Sequence, residues 1–92
     1  MRFEWDENKE QANIRKHHLD FATAATVFYD RNRIEWYDKK HSTMEEDRYI
    51  TIGRVGDMIT VVAVAYTLRR NTIRIITAHY ADKQEEEAYY GH

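Results

Sequence analysis

The fold is decided by residues 59–80, which read Ile-Thr-Val-Val-Ala-Val-Ala-Tyr-Thr-Leu-Arg-Arg-Asn-Thr-Ile-Arg-Ile-Ile-Thr-Ala-His-Tyr. Two runs rich in β-branched residues flank a short polar break, a pattern typical of a β-hairpin. The first run is almost uncharged, so we expect it to be central in a sheet and covered on both faces. Alternation along the second run predicts one face with Arg74, Ile76 and Ala78 and another with Ile73, Ile75, Thr77 and His79.

Length and composition indicate one small domain. The chain has 92 residues and no cysteine, so we expect a single domain over residues 1–92 and a reducing, cytoplasmic location. Arg2, Glu4 and Asp6 follow the first methionine closely, which argues against a secretory signal. The longest apolar run is shorter than the about 20 residues that span a bilayer, so no membrane partner is expected.

The charges are unevenly distributed along the chain. The net charge is −2, yet residues 48–80 hold five arginines against one acid, and residues 81–92 hold four acids against Lys83. A basic sheet bordered by acidic elements is compatible with a site for a polyanion. A mixed, solvated surface explains the same distribution, and charge alone favours that interpretation.

Helix signals surround the predicted hairpin. Residues 3–5 suggest an edge strand, and Asp6 is a good N-cap for a helix from Glu7 to about His17. Asp20 is the expected N-cap of a second helix. Its apolar stripe consists of Phe21, Ala24, Ala25 and Phe28. Asp82 can cap a last helix that continues through Tyr90. The chain is therefore expected to place two helices near its N-terminus and one near its C-terminus.

Two further strands are predicted between these helices. Residues 34–37 and 48–55 have strand patterns, and a polar loop over residues 38–47 separates them. Gly53 and the pair Gly56-Asp57 mark the turn into the hairpin. The order predicts an α+β fold with a small antiparallel sheet of three to five strands. We expect the helices on one sheet face and the other face partly open.

Nearly the whole chain resembles the BrnT family of toxins. The likeness is carried by Phe3-Glu4-Trp5-Asp6-Glu7-Asn8-Lys9, Asn13, Lys16-His17, Val27-Phe28-Tyr29-Asp30, His41-Ser42, Glu45-Glu46, Arg48, Ile73-Arg74-Ile75-Ile76-Thr77-Ala78 and Glu86-Glu87-Ala88-Tyr89-Tyr90. The resemblance implies a RelE-like ribonuclease that is the toxin of a type II toxin–antitoxin pair. It also implies a ribbon-helix-helix antitoxin of the BrnA kind, which neutralises the toxin and links the complex to operator DNA.

Three positions depart from the family pattern, and one of them is Arg31, which stands where the family usually has proline after Asp30. His18 stands where the family usually has glycine, and His79 stands where it commonly has arginine. A histidine is charged only part of the time near neutral pH, unlike arginine. The alternative hypothesis is therefore an inactive homologue that acts as a non-catalytic antitoxin- or RNA-binding subunit.

RNA supplies its own nucleophile, the 2′-hydroxyl group. An enzyme that cleaves RNA in this way needs a base, cations for the phosphate and an acid for the leaving oxygen. The candidate catalytic residues are His41, Glu46, Arg69, Arg74 and His79, and the candidate RNA-binding residues are Arg48, Tyr66 and Arg70. Together with the resemblance, which implies a ribonuclease, these residue types lead us to expect a metal-independent endoribonuclease without a cofactor.

Each candidate also has a structural interpretation. Arg74 could instead pair with an acid such as Glu46 or Glu87, and His41 could be an ordinary surface histidine. Metal binding has little support, because His41 and Glu45 would give only two ligands. The structure must therefore show which candidates share a site.

Overall fold

A computed structural model describes residues 1–56 and 59–91. Within those residues the chain forms five strands and three α-helices, which confirms the α+β class. The elements are β1 (Arg2–Trp5), α1 (Glu7–His17), α2 (Phe21–Ala25), a 3-10 turn (Thr26–Tyr29), β2 (Ile34–Tyr37), β3 (Arg48–Arg54), β4 (Val61–Arg69), β5 (Thr72–Tyr80) and α3 (Lys83–Tyr90).

The predicted hairpin is present as β4 and β5, near the middle of a sheet with strand order β1-β5-β4-β3-β2. Its turn residues Arg70 and Asn71 have φ values of 49° and 67°, as a tight two-residue hairpin turn requires. Gly56 also has a positive φ, of 54°, whereas Asp57, predicted in the same turn, lies outside the described residues.

The prediction of a purely antiparallel sheet is wrong, because β1 pairs with β5 in parallel. Antiparallel pairing follows from short hairpin connections, which join β4 to β5 directly. Most of the chain separates β1 from β5, so no hairpin fixes their relative direction. The sheet is therefore mixed, with β1 at one edge.

A bulge in β5 changes which side chains face the open side of the sheet. Tyr66 pairs with Ile75 and Ala65 with Thr77, so Ile76 is an extra residue. The simple alternation predicted for this strand is consequently wrong beyond Ile75. Ala78 lies on the same face as Ile75, whereas Arg74, Thr77 and His79 share the opposite face.

Both faces of the sheet carry helices, which corrects the expectation of helices on one face only. The predicted stripe of α2 is buried against one face, together with Val62 and Val64. On the other face, Tyr89 of α3 packs with Ile52 and Ala63. Because α3 has only eight residues, it covers one end of this face, and we call the remainder the open face.

Among the described residues, the second half of β5 has no strand neighbour on its outer side, since β1 pairs only with residues 72–75. Asn13 of α1 takes that place. Its side-chain amide donates to the carbonyl of Ala78 at 2.9 Å and accepts from the Ala78 N–H at 3.1 Å. Asn13 is only 5% exposed, so these bonds attach α1 to the sheet edge.

Helix α1 ends at His18, which adopts the left-handed conformation that favours glycine. His18 has φ 58° and donates its N–H to the Ile14 carbonyl at 2.8 Å. The left-handed conformation has a higher free energy for histidine than for glycine, because histidine has a Cβ atom. The left-handed helix end therefore forms here without a glycine.

Asp30 joins three parts of the fold. Its carboxylate accepts hydrogen bonds from the N–H groups of Asn32 and Arg54 and from the hydroxyl of Tyr89. Burial alone would raise the pKa of Asp30, but these hydrogen bonds outweigh burial and lower the pKa below its ordinary value of 3.8. The carboxylate thus holds α3 against β3.

We expect Asp30→Asn to lower the free energy of unfolding by about 1–3 kcal/mol. In either orientation of the asparagine side chain, its NH₂ group would lie against a backbone N–H donor that bonds to a carboxylate oxygen in the wild type. Urea denaturation at pH 7 measures the loss. Asp20→Asn is the matched control, because asparagine caps a helix as well as aspartate does.

The stabilisation by Asp30 should depend on pH. Its folded pKa is lowered, so the contribution is complete above the unfolded value and disappears as the pH falls through the folded pKa. The stability difference between wild type and Asp30→Asn should therefore shrink below about pH 4. A difference that is constant from pH 7 to pH 3 would contradict this role.

Candidate functional site

The open face contains a cleft of about 250 Å³. Its floor is formed by the small residues Ala63 and Ala65 of the central strand β4. Ile50 of β3 pairs with Ala65 from one side, and Thr77 of β5 pairs with it from the other. Because larger side chains flank a strip of alanines, the sheet surface dips at its centre.

His41 reaches this cleft from the loop between β2 and β3. Its Nδ1 lies 2.9 Å from a carboxylate oxygen of Asp38, whose backbone N–H donates to the Arg48 carbonyl at 2.8 Å. The Asp38 carboxylate accepts from the Nδ1–H tautomer, which leaves Nε2 as the acceptor nitrogen. The loop therefore presents an oriented imidazole to the cleft.

His79 lies at the same cleft and has its own carboxylate. Its Nε2 is 3.0 and 3.1 Å from the two side-chain oxygens of Glu85. Glu85 also accepts the N–H of Asp82 in the capping box at the start of α3. The bond that caps α3 and the bond that orients His79 thus share one side chain.

A third imidazole stands beside His79. The ring centroids of His17 and His79 are 5.8 Å apart, a consequence of the Asn13 contact that holds α1 against β5. Burial lowers the pKa of His17 below its ordinary value of 6.5, and the positive charges of His79, Lys16 and His18 lower it further. His17 is therefore predominantly neutral at pH 7.

Arg48 is the guanidinium that lines the cleft. Its Nε lies 3.3 Å from one oxygen of Glu46, and Arg69 lies 3.5 Å from the other oxygen. Glu46 itself lines a neighbouring hollow with Arg69 rather than the cleft. Glu46 is thus placed to orient Arg48, and neither terminal nitrogen of Arg48 bonds to a side chain that the structure describes.

Two further candidates, Arg74 and Arg70, do not line the cleft. Arg74 pairs with Glu4 at 2.7 Å, so the alternative of an ion pair is realised with a partner other than Glu46 or Glu87. Glu4 stands opposite Arg74 because β1 runs beside β5. Arg70 is exposed in the hairpin turn. The structure therefore separates both arginines from the cleft residues His41 and His79.

Tyr66 is buried on the other face of the sheet, with 4% of its surface exposed. Its hydroxyl donates to Glu35, and its ring contacts the rings of Phe28 and Tyr49. A ring packed in this way cannot stack on a base. The structure gives Tyr66 a core role in place of the expected RNA contact.

Sequence reasoning missed Asp38, Glu85 and His17. Asp38 precedes His41 by three residues in a polar loop, where an aspartate commonly bonds nearby backbone N–H groups. Glu85 follows the Asp82 cap by three residues, which is the capping-box spacing. His17 follows Asn13 by four residues on α1. Each spacing can be read from the sequence, but only the tertiary structure shows that these residues lie close to His41 or His79.

The cleft offers imidazoles, carboxylates and a guanidinium. Within residues 1–56 and 59–91, no group of three or more His, Cys, Asp or Glu side chains is arranged to hold a metal ion. The helices in these two ranges are also too short or too polar to cross a bilayer. The imidazoles of the cleft can accept or donate protons, and its guanidinium can pair with an anion.

Comparison with known proteins gives a family match over most of the chain. A family model described as a ribonuclease toxin, BrnT, of a type II toxin–antitoxin system matches residues 5–85. No curated protein matches the chain. The matched range includes both histidine–carboxylate pairs, Asp38 with His41 and His79 with Glu85.

We expect His79→Gln to raise the pKa of His17, because the substitution removes the largest charge that opposes its protonation. Burial should still keep the value below 6.5. NMR titration of the histidine ring protons measures the change. His41→Gln is the control and should leave the His17 pKa unchanged; an unchanged or lower value in His79→Gln would contradict the proximity of the two rings.

Proposed function

Because the chain belongs to the BrnT family of ribonuclease toxins of type II toxin–antitoxin systems, we propose that it cleaves RNA in the cleft of its open face. The observation that supports this site is the convergence of two histidine–carboxylate pairs and Arg48 on one concave surface. The family implies an antitoxin partner and an RNA substrate.

In the proposed reaction, Nε2 of His41 removes the proton from the 2′-hydroxyl group. The 2′-oxygen attacks the adjacent phosphorus, and the bond from phosphorus to the 5′-oxygen breaks. Protonated His79, held through Nε2 by Glu85, gives its Nδ1 proton to the departing 5′-oxygen. The products are a 2′,3′-cyclic phosphate and a 5′-hydroxyl, and no metal ion or water takes part in this step.

Arg48 is our choice for the group that stabilises charge on the phosphate. It lines the cleft with His41 and His79, and a guanidinium can contact two phosphate oxygens at once. Glu46 orients Arg48 and pairs with Arg69. Arg74, bonded to Glu4, is assigned to stabilising the sheet edge rather than to the reaction.

We further propose a ribbon-helix-helix antitoxin of the BrnA kind, in keeping with the resemblance. Covering the open face is the most direct way to block the cleft, and the antitoxin would link the complex to operator DNA. The same resemblance supports a RelE-like arrangement and a single toxin domain over residues 1–92 that acts in the cytoplasm. Co-expression with the product of an adjacent reading frame tests the partner.

We expect His41→Gln and His79→Gln each to slow RNA cleavage by about 10²–10⁴-fold, because each removes a proton-transfer group. Arg48→Gln should also be strongly impaired, and Arg74→Gln should be much less so. The measurement is single-turnover cleavage of a labelled RNA oligonucleotide by purified protein. His18→Asn is a matched control, since His18 is exposed and asparagine tolerates the left-handed conformation.

Full activity of His41→Gln and His79→Gln, with folding verified by circular dichroism, would contradict the assignment of this cleft. Tight RNA binding by the wild type without any product would instead support the inactive-homologue hypothesis. In that case His79→Arg, which restores the residue common in the family, should recover cleavage.

A further inference from the structure

A second hollow of about 360 Å³ adjoins the cleft, between α1 and the open face. Its charged and titratable lining residues are Lys9, Lys16, His17 and Arg48, and none of the acids that the structure describes lines it. Arg48 and Thr77 line both the hollow and the cleft. The two are therefore parts of one continuous surface. The hollow is basic, although the chain as a whole has a net charge of −2.

The attachment of α1 to the edge of β5 creates this basic surface. Lys9 and Lys16 are seven residues apart and so lie on the same side of the helix. Asn13 lies between them and is fixed to Ala78 by two hydrogen bonds. The helix can therefore rotate little, and its lysines are held beside the open face. Neither lysine forms an ion pair with any residue that the structure describes.

We propose that this hollow, which we call the α1 groove, binds the phosphate next to the scissile phosphate of a bound RNA strand. The inference rests on the proposed function, because it takes the neighbouring cleft as the place where the strand is cut. Lysines suit such a role, since a flexible ammonium group neutralises a phosphate without selecting a base.

The α1 groove also explains how a shallow cleft can hold its substrate. Contacts to a phosphate that does not react hold the strand across the cleft equally well in the ground and transition states, which lowers KM. Arg48 stands at the junction of the two hollows, so one strand can reach Arg48 and the lysines together. The groove would then govern substrate binding, and the cleft would govern the chemical step.

The competing explanation is an ordinary solvated helix face. Arg15 provides an internal comparison, because it is exposed on the same helix, next to Lys16, and does not line the groove. Lys16→Gln and Arg15→Gln remove the same charge from adjacent residues that point in different directions. Only the first of them should weaken RNA binding if the groove holds a phosphate.

The test uses an eight-nucleotide RNA in which every 2′-hydroxyl is methylated, so that it binds but cannot be cleaved. Its dissociation constant is measured for wild type, Lys16→Gln, Lys9→Gln/Lys16→Gln and Arg15→Gln over a range of salt concentrations. We expect the double variant to bind about tenfold or more weakly at low salt. The slope of log K against log salt should fall by about 0.7 for each phosphate that the variant no longer neutralises.

Kinetics with a cleavable RNA oligonucleotide of the same length provide the second measurement. The double variant should have a higher KM with kcat unchanged, as expected when a mutation removes binding energy that is equal in the ground and transition states. A dinucleotide substrate has only the scissile phosphate, so wild type and double variant should cleave it equally well.

Several outcomes would overturn the inference. The inference fails if the double variant binds the probe with the affinity and salt slope of Arg15→Gln, or if the wild type does not bind the probe. It also fails if poly-glutamate competes for the site as well as RNA does. The last result would indicate a site for an acidic protein segment. If the double variant binds the probe more weakly as expected but wild type cleaves no RNA, the proposed reaction fails and the α1 groove remains an RNA-binding site.

Discussion

The paired hydrogen bonds between the Asn13 side chain and the Ala78 backbone are the interaction on which the site depends. Beyond Trp5 the edge strand ends, and the buried polar groups of β5 would lack partners without this amide. The same bonds fix α1 beside the open face, which brings His17 within 5.8 Å of the His79 ring. One buried asparagine thus satisfies the sheet edge and places a third histidine and two lysines next to the cleft.

The cleft itself follows from simple features of the sheet. Alanines in the central strand lower its floor, and the bulge at Ile76 turns Thr77 and His79 toward the same face as Arg48 and Ile50. A regular strand would have aimed His79 at the hydrophobic core. Each imidazole at the cleft wall then meets a carboxylate that fixes its orientation, Asp38 for His41 and Glu85 for His79. Two oriented imidazoles and a guanidinium can supply the base, the acid and the positive charge that cleavage by a 2′-hydroxyl requires.

The sequence predicted local structure well and long-range placement poorly. The caps Asp6, Asp20 and Asp82 and the hairpin with its short polar break have local causes, and all of them are present. The parallel pairing of β1, the bulge and the second covered face depend on interactions between distant segments, which periodicity does not encode. His41 and His79 were recognised as candidates, but their carboxylates were not. Tyr66 was predicted to bind RNA because its ring could stack on a base, but the ring lies on the buried face of β4.

The chemistry of the cut ends is the most direct test of the proposed site. Wild-type protein is incubated with a defined RNA oligonucleotide, and the fragments are identified by mass spectrometry at early times. Cleavage by the 2′-hydroxyl with His41 and His79 as base and acid predicts fragments that end in a 2′,3′-cyclic phosphate and begin with a 5′-hydroxyl. Fragments with a 3′-hydroxyl and a 5′-phosphate would show attack by water instead, and would contradict the mechanism proposed for this cleft.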